Sequence, residues 1–122
     1  MAYAIADLDL VDEPTVVRLV GDSSTLHSEL SPARHLDAQE CPTFVWATGQ
    51  DIPGLINSLR WGEAIATAGR RLELHIYPDG GHGVGMADGK GGYPHLPRTA
   101  QWTTTCAQWL QDERILEPHR VR

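Results

Sequence analysis

The chain has 122 residues, 41% hydrophobic and 21% charged, and its ten Lys and Arg against sixteen Asp and Glu leave a formal charge of −6. This length suits one domain that buries about two-thirds of its unfolded surface, so neither a disulfide framework nor a metal staple is required for folding. No apolar run nears the length of a membrane span, which excludes a spanning chain, and the acidic balance excludes a nucleic-acid binder, the short basic tail His119-Arg120-Val121-Arg122 reading as a solvated end.

The amino-terminal stretch Met1-Ala2-Tyr3-Ala4-Ile5-Ala6-Asp7 lacks the basic region and long apolar run of a secretory signal, which predicts a cytoplasmic chain. Cys41 and Cys106 are far apart and form no CxxC pair, which agrees with a reducing compartment. Six histidines, about one residue in twenty, are the compositional feature that stands out.

In chain order, residues 2–10 read as a short strand and residues 13–20 as a helix with Pro14 in its first turn, ended by Gly21. A second short helix is expected over 23–30, stopped by Ser31-Pro32. The β-branched and aromatic run Thr43-Phe44-Val45-Trp46-Ala47-Thr48 predicts a strand covered on both faces. A loop over 49–54 follows, and then a helix over 57–68 with Leu59, Trp61, Ile65, Ala66 and Ala68 at helical spacing, closed by Gly69. Leu72-Glu73-Leu74-His75-Ile76-Tyr77 reads as a second strand, the glycine-rich stretch 78–97 as a flexible irregular loop, and Trp102, Cys106, Trp109 and Leu110 as one face of a final helix.

The whole chain, 1–122, thus reads as one domain: a helical or irregular lead-in over 1–40 and a β-α-β-loop-α unit over 41–112. Strands joined by a helix of this length run parallel, giving an α/β fold whose ligands sit at the carboxyl ends of the strands. The loops leaving those ends carry Asp51 and His82.

Several pieces together resemble the C-terminal third of α/β-hydrolases of the small feruloyl/acetyl esterase-like type. They are Leu30-Ser31-Pro32 with His35-Leu36, Pro42-Thr43-Phe44, Asp51 with Asn57-Ser58-Leu59, Leu72 to Pro78 running into Gly80-Gly81-His82-Gly83, and Trp102 with Trp109-Leu110. The resemblance implies a truncated α/β-hydrolase-like parallel sheet with flanking helices, Asp51 as triad acid and His82 as triad base. It implies ester hydrolysis of a small-molecule substrate. Two departures stand out: Asp51-Ile52-Pro53 is one residue shorter than the family's spacing, and the family's Gly-x-Ser-x-Gly nucleophile motif is absent from the sequence.

Without that serine, one expectation is a metal-dependent hydrolase of activated esters, phosphotriesters among them. Zinc would be bound by Asp51, His82 and His95, because zinc lowers the pKa of its bound water to about 7 and supplies hydroxide without a nucleophilic side chain. A non-catalytic interaction module is an alternative. A serine or cysteine hydrolase completed by a partner chain is another, with Cys41, Cys106, Ser23 and Ser58 as the candidate nucleophiles within this sequence. The edges and apolar faces left by a truncated sheet predict a homodimer. The remaining features read as structural: His75 and His35 as satisfied by local hydrogen bonds, His27 and His119 as surface residues, the four tryptophans as core or interface, and Tyr93 as the aromatic best placed to meet a ligand.

Overall fold

The computed structural model describes residues 5–36 and 42–115. Four helices and two strands are formed there: α1 (Glu13–Val20), α2 (Ser24–Glu29), β1 (Thr43–Thr48), α3 (Ile52–Thr67), β2 (Leu72–Tyr77) and α4 (Gln101–Asp112). The strands pair in parallel, Thr43 opposite Leu72 through Thr48 opposite Tyr77. From Thr43 to Asp112 the element order is β-α-β-loop-α, and both strand ranges agree with their apolar runs.

Side chains alternate across the two strands, and each face meets a helix. On one face Phe44 and Trp46 pack with Val84 and Ala87 of the glycine-rich stretch and with Trp102, Cys106 and Trp109 of α4. Trp46 stacks on Trp102 at 4.7 Å between ring centroids, and Phe44 meets Trp109 at 5.5 Å. On the other face α3 lies close enough that a Cβ at Gly62 would stand 3.3 Å from the Leu74 side chain. Val45 and Ile65 are fully buried. This helix–sheet–helix layering fixes the carboxyl ends of both strands at one edge of the molecule.

The lead-in is fastened to α3. Asn57 Oδ1 accepts from the backbone N–H groups of Ala6 and Asp7, at 2.9 and 3.2 Å, while Ala6 and Ala33 pack against Ala64 with Leu36 and Trp61. The expected strand over 2–10 is corrected where it is described. Leu8–Leu10 is a 3-10 turn capped by Asp7, whose carboxylate accepts from Asp9 N–H, because a short acidic side chain competes with ladder pairing. Residues 2–4, Cys41, His119 and the basic tail lie outside the described residues. Among the described residues no helix is long and apolar enough to cross a membrane.

Asp7 is the buried charge of this lead-in, bonded by Arg34 Nη2 at 2.7 Å and Arg60 Nε at 3.3 Å. Burial alone pushes its carboxyl up, but the hydrogen bonds from Arg34, Asp9 N–H and Arg60 outweigh it and hold the pKa at about 2, below the 3.8 of a free aspartate. A carboxylate depressed by folding stabilises above its unfolded pKa and loses that contribution as the pH falls through the folded value. Asp7 should therefore contribute on the order of 2 kcal/mol at neutral pH, lost between roughly pH 4 and 2. Urea melts of the wild type and Asp7→Asn measure this: the gap between them should be widest at pH 6 and close near pH 2.

Candidate functional site

Thr48 ends β1 and Tyr77 ends β2, so the segments that follow emerge side by side. The expected loop over 49–54 is shorter than the sequence suggested. Helix α3 begins at Ile52, with Asp51 as its N-cap and Pro53 in its first turn, both favoured at helix starts. The Asp51 carboxylate accepts from Gly54 N–H at 3.4 Å and is 5% exposed. A Cβ on residue 54 would overlap this carboxylate, so Gly54 is a required neighbour that the sequence reading passed over. Gly54→Ala should displace Asp51 and, since about 1 Å of misplacement costs ~10²-fold in a preorganised site, lower any Asp51-dependent rate by about that factor. Circular dichroism checks that α3 persists.

His82 stands on the segment after β2, which is held at its stem by three bonds. Gly80 N–H donates to Gln50 Oε1 at 2.9 Å, Thr99 Oγ1 to the Asp79 carbonyl at 2.6 Å and Thr48 Oγ1 to the Gly81 carbonyl at 3.4 Å. Beyond His82 the buried Val84 and Ala87 anchor the chain in the core. The stretch 78–97 is irregular as expected, apart from an antiparallel bridge between Asp88 and His95, yet its stem is tied rather than loose. Gly80 has φ +118, and a Cβ there would stand 3.0 to 3.1 Å from Val84, Leu96 and Thr48. Only glycine suits this turn.

These two segments bring the side chains together. His82 Nδ1 lies 3.0 Å from Asp51 Oδ2, with the imidazole 71% exposed and the carboxylate buried. A carboxylate only accepts, so Nδ1–H donates and Nε2 is the ring's basic nitrogen. A buried acceptor thus orients an accessible base. The shortened spacing after Asp51 does not prevent this contact.

His95 is not brought to the pair. Its backbone bridges Asp88, its side chain is exposed, and no cluster of three or more His, Cys, Asp or Glu suited to a metal occurs among the described residues. The chain returns to the stem at Leu96 and Thr99, but the His95 side chain lies beside Gly89. The zinc site expected from Asp51, His82 and His95 is therefore not assembled by these residues, which do not fit that ion.

The other candidates have structural places. Ser23 caps α2 by accepting from Leu26 N–H, Ser58 is buried in α3, and Cys106 packs in the α4 face. His75 Nε2 donates to Glu73 Oε1 and His35 Nε2 to the Ser28 carbonyl, both at 2.8 Å, as expected of satisfied histidines. His27 differs from its surface reading: it is 23% exposed and lies 3.3 Å from Asp9, a carboxylate that also pairs with Arg34. Tyr93 lies over Gly85 rather than at the Asp51–His82 pair.

Beside His82 is a cleft of about 290 Å³, with Ile5, Leu10, Val11, Ile52 and Ile56 forming its walls. Asp12 and Asn57 are its other polar residues, and among the described residues no Ser, Thr or Cys lines it.

No protein-family model and no curated protein matches the sequence. Solved structures do match the fold. An acetyl ester-xyloside bifunctional hydrolase from Caldicellulosiruptor lactoaceticus aligns with 91% of this chain at 29% identity and a TM-score of 0.75. A carboxylesterase from Lactobacillus plantarum aligns with 91% at 24% identity and a TM-score of 0.73, and a sugar hydrolase from Lactococcus lactis with 75% at 24% and 0.67. The chain covers 40%, 42% and 38% of those three proteins, so it spans about two-fifths of each.

Proposed function

On the premise that this chain is built as a portion of the α/β-hydrolase fold, we propose that it is an ester hydrolase whose chemistry rests on Asp51 and His82. The observation that carries this reading is the 3.0 Å contact between a buried carboxylate and an exposed imidazole at the carboxyl ends of parallel strands. Water is the nucleophile in this reading, since none of the described cleft residues bears a hydroxyl or thiol. His82 Nε2 takes a proton as the water oxygen attacks the ester carbon, and the imidazolium returns it to the departing alkoxide as the ester C–O bond breaks. Asp51 stays ionised, keeps the productive tautomer and stabilises the imidazolium. Acid and alcohol are the products.

A second reading is favoured by the two-fifths coverage of the esterases: a hydroxyl nucleophile brought by another polypeptide segment, with the same base accepting its proton. Hydrolysis of 4-nitrophenyl acetate and of a 4-nitrophenyl phosphotriester, with and without chelator, tests the proposal. Turnover above the buffer rate, indifferent to chelator and lost in His82→Ala, is expected. Turnover that chelator abolishes and zinc restores, or that survives His82→Ala, would overturn it.

A further inference from the structure

The cleft beside His82 has a chemical character of its own. Its walls are the aliphatic side chains of Ile5, Leu10, Val11, Ile52 and Ile56. Ile52 and Ile56 stand on one face of α3, four residues apart, and both are substantially exposed. Apolar surface left open beside a polar pair is characteristic of a binding site.

The polar groups lining the cleft are largely committed elsewhere. Asn57 Oδ1 accepts from Ala6 and Asp7, and its Nδ2 donates to the Pro53 carbonyl at 3.0 Å. Asp12 accepts from Thr15 N–H and Thr15 Oγ1 as the cap of α1, and its carboxylate also lines the cleft. Among the described residues the lining carries no Lys or Arg, and two guanidinium groups of the lead-in and α3, Arg34 and Arg60, are bound to Asp7. An anionic group entering the cleft would meet Asp12 without a compensating cation, in a chain of net charge −6.

We infer that this cleft holds the compact apolar group of an uncharged ester, presenting its electrophilic acyl carbon or phosphorus to His82, and that it turns away phosphate monoesters and diesters. A volume near 290 Å³ is at the small end for ligand pockets, the scale of one aromatic ring or a short alkyl group. Uncharged carboxyl esters and phosphotriesters fall within the class. This inference rests on His82 being the catalytic base, but binding is measured without turnover, so the two fail separately.

The test is titration of the 15N-labelled full chain with phenylacetone, a ketone that cannot be hydrolysed, and with phenyl phosphate as its anionic counterpart. Phenylacetone should give saturable shifts at Val11, Ile52, Ile56 and His82, weakened at least tenfold by Ile56→Asp and unchanged by Leu19→Asp, a substitution at an exposed position of α1. Phenyl phosphate should leave these residues unshifted. Asp12→Asn, which keeps an N-cap residue, should let phenyl phosphate in. Phenylacetone shifts elsewhere or unaffected by Ile56→Asp, or phenyl phosphate binding at least as well as the ketone, would overturn the inference. Binding as expected, together with an ester rate that His82→Ala leaves intact, would keep the cleft assignment and discard the catalytic one.

Discussion

Replacing His82 with alanine should lower the proposed ester hydrolysis by about 10²–10⁴-fold, the usual contribution of a positioned general base and equivalent to roughly 3–5 kcal/mol of barrier. The fold should be untouched, because the imidazole is 71% exposed and its segment is held by Gly80, Asp79 and Gly81 backbone bonds that the substitution leaves in place. Asp51→Asn is the companion variant. Asparagine preserves a helix N-cap and the side-chain volume but offers a neutral partner to Nδ1, so the loss falls on the tautomer and on imidazolium stabilisation. About 10²-fold or more is expected in kcat with KM little changed, and the double variant should be scarcely worse than His82→Ala alone, as residues acting in one unit are not additive. Steady-state kinetics on 4-nitrophenyl acetate supply all three numbers.

The largest effect on stability is expected at Trp46. It is 4% exposed, stacked on Trp102 and in edge contact with Tyr77, and so joins β1, β2 and α4 in one cluster. Trp46→Ala removes that side chain and leaves a cavity between three elements, a change that costs about 3–5 kcal/mol in well-packed cores. Domains of this kind are stable by roughly 5–15 kcal/mol, so this loss is a large fraction of the total and leaves the variant marginally folded at the low end of that range. Its urea midpoint should fall by about 2 M at an m-value near 2 kcal/mol/M. Trp46→Phe, which keeps an aromatic ring against Trp102, should lose less than half as much. Gly80→Ala, by contrast, strains one turn and should cost ~1–3 kcal/mol.

The strands were legible because their signal is local. Thr43–Thr48 and Leu72–Tyr77 are continuous β-favouring runs, and burial on the Phe44 and Trp46 face reinforces what propensity already says. The Asp51–His82 pair was legible through the resemblance, because both residues follow strands that a parallel sheet sets side by side. Less legible was the start of α3: an aspartate read as a catalytic acid also caps the helix, and that second use is a backbone geometry rather than a pattern. Gly54 belongs to the same blind spot, since its importance lies in the space the carboxylate occupies. Asp7 was missed for another reason. Its partners Arg34 and Arg60 lie 27 and 53 residues away, beyond any periodicity, and the bonds to them replace the strand expected over 2–10 with a capped turn where that stretch is described. His95 forms no metal-ligating cluster with the pair among the described residues, because closeness along a glycine-rich stretch says little about closeness in space.

The proposed role of His82, oriented by Asp51, is that of the base of an ester hydrolase. Chemical rescue of His82→Gly by added imidazole tests it most directly, with 4-nitrophenyl acetate as substrate and the spontaneous imidazole rate subtracted. Rescue should saturate with imidazole and disappear when Asp51→Ala is added, because the free ring then has no carboxylate to orient it. A rate that rises only by the spontaneous imidazole reaction, or rescue indifferent to Asp51, would contradict it.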